Sequence, residues 1–279
     1  MLRCCWFALL LAAAACDEVI VAAAGVAEQL QELRQSREPE TNVSFTESLV
    51  QELSQPWSRV INHRFTDELA TGTLNLGVLR CYLVQDHRFL DSFVVLLSSM
   101  ISRAHSLKDR IPGAQFLGLI TGKENTYFER SFEALGVSDA VRESTPSAPV
   151  TGSFIDLMRN VAATGNLAEM LAVLVAAEWS YQSWGERVLP KAVEGPFYFR
   201  EWVDLHSGPY FGSVVAYFRA LLDAERAKDG DFAAATNHRA VEGLENQIQA
   251  DEERDEGEDG EVEAEGARHG CGGVAARAG

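Results

Sequence analysis

The chain has 279 residues, 47% of them hydrophobic and 23% charged, enough apolar material for one large packed domain. Its formal net charge is −17, and just over half of that excess lies in residues 251–266 (DEERDEGEDGEVEAEG), where ten acids face one arginine. No basic cluster offers a stripe for tracking phosphates, which argues against nucleic-acid binding.

The first sixteen residues, MLRCCWFALLLAAAAC, read as a signal-like leader, secretory or organelle-directed, and are too short to span a bilayer comfortably. No later run approaches 18 apolar residues, so no stable membrane span is expected. Residues 17–43 form an N-terminal extension with amphipathic helical pattern up to Pro39. A helical domain is expected over 44–250, followed by an acidic disordered tail over 251–279. Within the domain, ESLVQELSQPW suggests a helix ended by Pro56, and SRVINHRFTDELATG a second that stops at Gly72. A long helix then runs from about Asn75 to His105, with Thr73 or Asn75 as its cap.

Pro112-Gly113 marks a turn or kink, after which helical pattern continues to Gly136. The segment SDAVRESTPSAPVTG reads as loop. Helical pattern returns in SFIDLMRNVAATG and in NLAEMLAVLVAAEWSYQSWGERVL, which ends by Pro190. YFREWVDLHSG, PYFGSVVAYFRALLDAERAKDG and DFAAATNHRAVEGLENQIQADEE complete the series. TGKENTYF is faintly like a phosphate loop but lacks the Walker glycines and a preceding strand, so no function is read there. No useful β-alternation occurs, and the fold class is all-α. Five cysteines form no CxxC pair and no zinc spacing; Cys81 reads as a buried small residue, with no disulfide framework indicated.

Two acids stand out. In CYLVQDHRFLDSF, Tyr82, Asp86, Phe89 and Phe93 fall on one helical stripe that is aromatic apart from the acid. An unpaired buried carboxylate costs several kcal/mol or neutralises, so Asp86 needs a partner in the fold or in a ligand. The run MLAVLVAA ends at Glu178, which shares a face with Tyr181 and Gln182. Two such acids facing one aromatic cavity suit a flat, nitrogen-rich ligand. One can accept hydrogen bonds from ring or amino N–H groups, while the other, desolvated, can act as a general base.

HRFTDELATGTLNLGVLRCYLVQDHRFLDSF resembles the TenA/THI-4 family of thiamin-pyrimidine hydrolases, whose pattern is similar to H-x-F…G-T-L…Y-L-x-Q-D-Y-x-F-L…F. The segment from Ser153 to Leu189 and REWVDLHSGPYFGSVVAYFRALLD follow in the family's order, so the resemblance covers roughly residues 44–226. It implies a haem-oxygenase-like (TenA-type) helical bundle, usually a homotetramer. It implies a hydrolase of thiamin breakdown products, releasing ammonia or formate from amino- or formylamino-methylpyrimidine in thiamin salvage.

By that resemblance Asp86 binds the aminopyrimidine, and Phe89, Phe154, Tyr181, Gln182 and Tyr82 form the substrate pocket. Ala177 stands where the family's cysteine nucleophile belongs, and AEWSYQ resembles the subgroup lacking that cysteine, with Glu178 activating water. No metal or organic cofactor is implied. His206 stands about where members often carry tyrosine. The last helix departs more seriously: members carry a glutamate before an aromatic pair, here absent, leaving Glu242 or Glu245 to stand in as catalytic acids. That departure keeps open the alternative of a catalytically inactive pyrimidine-binding or scaffold member of the same fold. A third reading, a quinone-cofactor type of oxidase on the same bundle, needs several pocket histidines or arginines, and the six histidines are scattered. The family is otherwise cytosolic, whereas the leader points to export or an organelle; the sequence leaves both open.

Overall fold

A computed structural model describes residues 43–228 and Glu242. The leader, almost all of the N-terminal extension, and the acidic tail lie outside the described residues, as does Glu245.

Eleven α-helices follow one another among the described residues. Helix α1, Phe45–Glu52, starts at a capping box in which Ser44 and Glu47 satisfy each other's backbone N–H groups. Helix α2 is Ser54–Ile61, with Pro56 in its first turn. A first-turn N–H has no partner within its helix, so Pro56 is accommodated there rather than ending the previous helix. Helix α3, Arg64–Thr71, ends at Gly72, whose φ of 69° is the left-handed cap conformation. Helix α4, Leu76–Arg103, is the long central helix, capped by Asn75, whose Oδ1 accepts from the Gly77 N–H at 2.7 Å.

Helix α5, Leu107–Leu119, passes through Pro112 instead of turning there. Packing holds it. At Gly113 a Cβ would lie 2.9 Å from Ile101 Cγ1 and 3.1 Å from Tyr217 Oη, so only glycine allows this approach. The Tyr217 hydroxyl also donates to the Asp109 carbonyl at 2.5 Å. A π-turn, Ile120–Glu124, joins α5 to α6, Asn125–Leu135. The expected loop contains a short helix, α7 (Asp139–Ser144), capped by Ser138. Helix α8, Pro149–Thr164, opens on proline, the residue best suited to a first helical position. Helix α9 is Leu167–Val188, followed by a 3₁₀ turn over Leu189–Lys191; α10 is Phe197–Leu205 and α11 is Gly208–Lys228.

Helix α4 lies along α8, α9 lies along α11, and α4 and α9 also touch each other; α10 packs against α3, α6 and α9. One hydrophobic cluster runs through these helices, with Leu97 and Met100 of α4 and Leu171 and Leu174 of α9 fully enclosed. Burying such a side chain stabilises the fold by about 1.5–3 kcal/mol. Cys81 is buried as expected, but it is disulfide-bonded rather than a free thiol. No described helix is long and apolar enough to cross a membrane.

Candidate active site

Six elements converge on one cavity of about 340 Å³ of atom-free space, part of it at the open mouth. Helix α4 contributes Asp86, Phe89, Leu90 and Phe93, which recur at i, i+3, i+4 and i+7 and therefore share a face. Helix α9 contributes Glu178 and Tyr181. Phe116, Ile120, Glu124 and Phe128 come from α5, the π-turn and α6, and Trp202 and His206 from α10 and its C-cap.

Asp86 and Glu178, both chosen from sequence, are thus brought together, with Phe89 and Tyr181 beside them. Tyr181 has one hydroxyl proton and donates it to Asp86 Oδ1 at 3.2 Å. The Tyr82 hydroxyl, 3.3 Å from that of Tyr181, must then be the donor in its own bond. Tyr82 is buried, is not among the residues lining the cavity, and bonds to the tyrosine that donates to Asp86. Phe154 also stands behind the wall, packed edge-on to Phe89 with ring centroids 5.0 Å apart. Gln182 points elsewhere: its Nε2 donates to Glu186 at 2.9 Å and lies close to Gly212 of α11. Glu242 is not among the residues lining the cavity.

Glu124 is the acid that the sequence reading missed. It lies in TGKENTYF, a segment set aside as featureless, and brings a third carboxyl to the cavity. Desolvation pushes its pKa up to about 8, with the charge of Asp86 adding to the rise. Glu124 keeps partial exposure as a residue, yet its carboxyl is enclosed by protein, and the direction of that shift follows from the enclosure. Glu178 is buried, and desolvation, then the charges of Glu124 and Asp86, raise its pKa well above the ordinary carboxylate range. His206 is buried and held neutral, its pKa lowered to about 4 by desolvation. Its Nδ1 lies 2.9 Å from the Trp202 carbonyl, which can only accept, so Nδ1 carries the proton and Nε2 keeps its lone pair. Trp202 stacks on Tyr127 at 5.0 Å, and its indole N–H is buried with no hydrogen-bond partner among the described protein atoms. Among the described residues, no group of three His, Cys, Asp or Glu side chains is arranged to hold a metal ion.

These acids set a pH dependence. Between the unfolded carboxylate pKa near 4.5 and the folded value near 8, native Glu124 retains a proton that the unfolded chain releases. Stability contributed by the protonated group is complete below that window and falls as pH rises through it, by at most about 1.4 kcal/mol per pH unit. Glu178 acts in the same direction. Urea denaturation of the ligand-free protein between pH 5 and 8 is expected to show this fall, and Glu124→Gln to flatten it relative to wild type. Parallel profiles would contradict the assigned environment.

A model of the TENA/THI-4/PQQC family matches residues 50–240 of this chain. The chain belongs to that family. The aminopyrimidine aminohydrolase of Halalkalibacterium halodurans is 25% identical over 185 residues, covering 66% of this chain and 82% of that protein. The Bacillus subtilis protein of the same name is 25% identical over 173 residues, covering 62% of this chain and 73% of its own. Among solved structures, a TenA homologue from Pyrococcus furiosus superposes with a TM-score of 0.65 at 23% identity, covering 76% of this chain and 99% of that one. One from P. horikoshii gives 0.66 at 21%, covering 77% and 100%. The all-helical TenA fold of this family member is thereby shown.

Proposed function

We propose that the protein hydrolyses the exocyclic C–N bond of an aminopyrimidine derived from thiamin, without a cysteine nucleophile. The reading rests on one observation above the others: Asp86 and Glu178, on two different helices, face a single aromatic cavity. The aminohydrolase names of its relatives support the reaction class. The ionised carboxylate of Asp86, held in orientation by Tyr181, accepts from the ring amino group of the substrate. Phe89 and Tyr181 border the flat ring, and Phe154 keeps Phe89 in place from behind. Glu178, when ionised, takes a proton from the attacking water. Ala177 precedes it on the buried side of α9, and Cys81 is disulfide-bonded and absent from the cavity wall, which supports a route through water.

The test uses the full-length protein with aminomethyl- and formylaminomethyl-pyrimidine, following products by mass spectrometry. Release of hydroxymethylpyrimidine or the free amine by wild type is expected. Asp86→Asn is expected to raise KM at least tenfold, because the amide replaces one acceptor by a donor against the ring amino group. Binding without turnover by wild type would replace this reading with that of a non-catalytic pyrimidine-binding protein.

A further inference from the structure

Glu124 has no task in the hydrolysis as proposed. Breaking a C–N bond with water requires two proton movements, one off the attacking oxygen and one onto the departing nitrogen. One carboxyl is poorly placed to serve both ends of that bond in the same step. Glu124 and Glu178 enter the same cavity from different elements, the π-turn and α9. We infer that Glu124 holds the proton that departs with the leaving amine, while Glu178 serves the water. This inference rests on the hydrolytic reading above.

The step balances without any further reactant. The water oxygen bonds to the exocyclic methylene carbon as the C–N bond breaks, and the bonding pair stays with nitrogen. Glu178 takes the water proton, Glu124 supplies its own to nitrogen, and ammonia and the alcohol leave. A proton then passes from Glu178 to Glu124 and resets the site.

Among the described residues, the titratable groups around Glu124 are Asp86 on α4, Glu178 and Tyr181 on α9, Tyr127 on α6 and His206 after α10. None brings a positive charge at neutral pH: His206 is neutral, and burial pushes the Tyr127 phenol well above its usual range. With no cation among them to draw the proton off, the carboxyl of Glu124 stays protonated up to about pH 8. His87 anchors the end of the π-turn. It follows Asp86 on α4, and its Nε2 lies 3.1 Å from Asn125 Oδ1, the residue after Glu124. The two acids are thereby tied to one framework.

The experiment compares aminomethylpyrimidine with its trimethylammonio analogue, whose quaternary nitrogen has no lone pair to protonate and departs as neutral trimethylamine without help from an acid. Glu124→Gln in the full-length protein is expected to lower kcat on the amine by about 10²-fold, at the low end for acid–base help because the amine can bring its own proton. On the quaternary analogue the same variant should stay near wild type, whereas Glu178→Gln should lose both. Glu124→Asp should recover part of the amine activity. Wild-type kcat/KM on the amine should fall above about pH 8, and that limb should be missing in Glu124→Gln. Equal loss on both substrates by Glu124→Gln at unchanged melting temperature would overturn the inference. So would rescue of Glu178→Gln by the quaternary analogue. If wild type does not cleave the analogue, persistence of the alkaline limb in Glu124→Gln decides against the inference and its disappearance decides for it. A wild type that hydrolyses neither substrate would bring down the hydrolytic reading itself.

Discussion

Glu178→Gln is expected to lower kcat for aminopyrimidine hydrolysis by about 10²–10⁴, with KM changed no more than a few fold. The amide has the shape of the acid, so the fit of this buried residue among the apolar side chains of α9 is retained. What it removes is the ability to accept a proton from water as the transition state forms, and that loss falls on kcat. The pH profile carries a second signature. In the empty cavity, burial and the neighbouring acids keep the Glu178 carboxyl protonated well beyond its normal range. The permanently cationic trimethylammonio analogue lowers that pKa on binding, because an opposite charge favours the ionised form. The acidic limb of kcat, which reports the complex, should therefore lie below that of kcat/KM, which reports the free enzyme. A variant within threefold of wild-type kcat would remove Glu178 from the reaction. A loss confined to KM would make it a binding residue.

Gly185→Ala is expected to damage fold and activity together, although residue 185 does not line the cavity. A Cβ there would stand 2.2 Å from the His206 carbonyl oxygen and 2.8 Å from its carbonyl carbon. Both are backbone atoms, so no rotamer change relieves the contact; α9 and the end of α10 must separate. Overpacking of this kind costs about 1–3 kcal/mol, which in a domain of this size lowers Tm by about 2–4 °C for each kcal/mol. His206 moves with its backbone, and Trp202, whose ring centroid lies 4.3 Å from that of His206, loses its neighbour. A fall in kcat/KM of about tenfold or more should accompany the lower Tm. Gly118→Ala in α5 is the control, since a Cβ there meets nothing within 4 Å; it should be neutral or slightly stabilising. A Gly185→Ala protein melting with wild type would contradict the close approach of the two helices.

The two central acids were legible because each interrupts an apolar helical stripe, and a lone carboxylate in such a place needs a reason. Their helices were legible for the same cause: long runs of 3.6-residue periodicity, with Asn75 among the cap candidates of the first. Glu124 was not, because its neighbours Thr121, Gly122 and Lys123 are exposed and polar and disguise the pattern. The signal lies in a wider window. Phe116, Ile120, Glu124 and Phe128 recur every four residues and all reach the cavity. In an α-helix a strict four-residue spacing drifts by about 40° per step. The wider π-turn advances less per residue and takes up part of that drift, keeping all four on one wall. The prolines misled for a related reason. Pro56 and Pro112 carry real helix-breaking cost, but a first-turn position cancels it in one case and tertiary packing at Gly113 and Tyr217 offsets it in the other. Tyr82, Phe154 and Gln182 share the right helices with the site residues, yet periodicity alone does not separate a cavity wall from the layer behind it.

The composition of that wall has a consequence for where the protein can act on its substrate. Three carboxyls and a neutral histidine face the cavity, and neither lysine nor arginine is among its described lining residues. A phosphate ester on the pyrimidine would bring about two negative charges beside the Asp86 carboxylate with no counter-ion, and unpaired like charges so placed cost several kcal/mol. On the hydrolytic reading proposed above, the cavity takes the bare heterocycle, and phosphorylation of the pyrimidine belongs after the work done there, not before it.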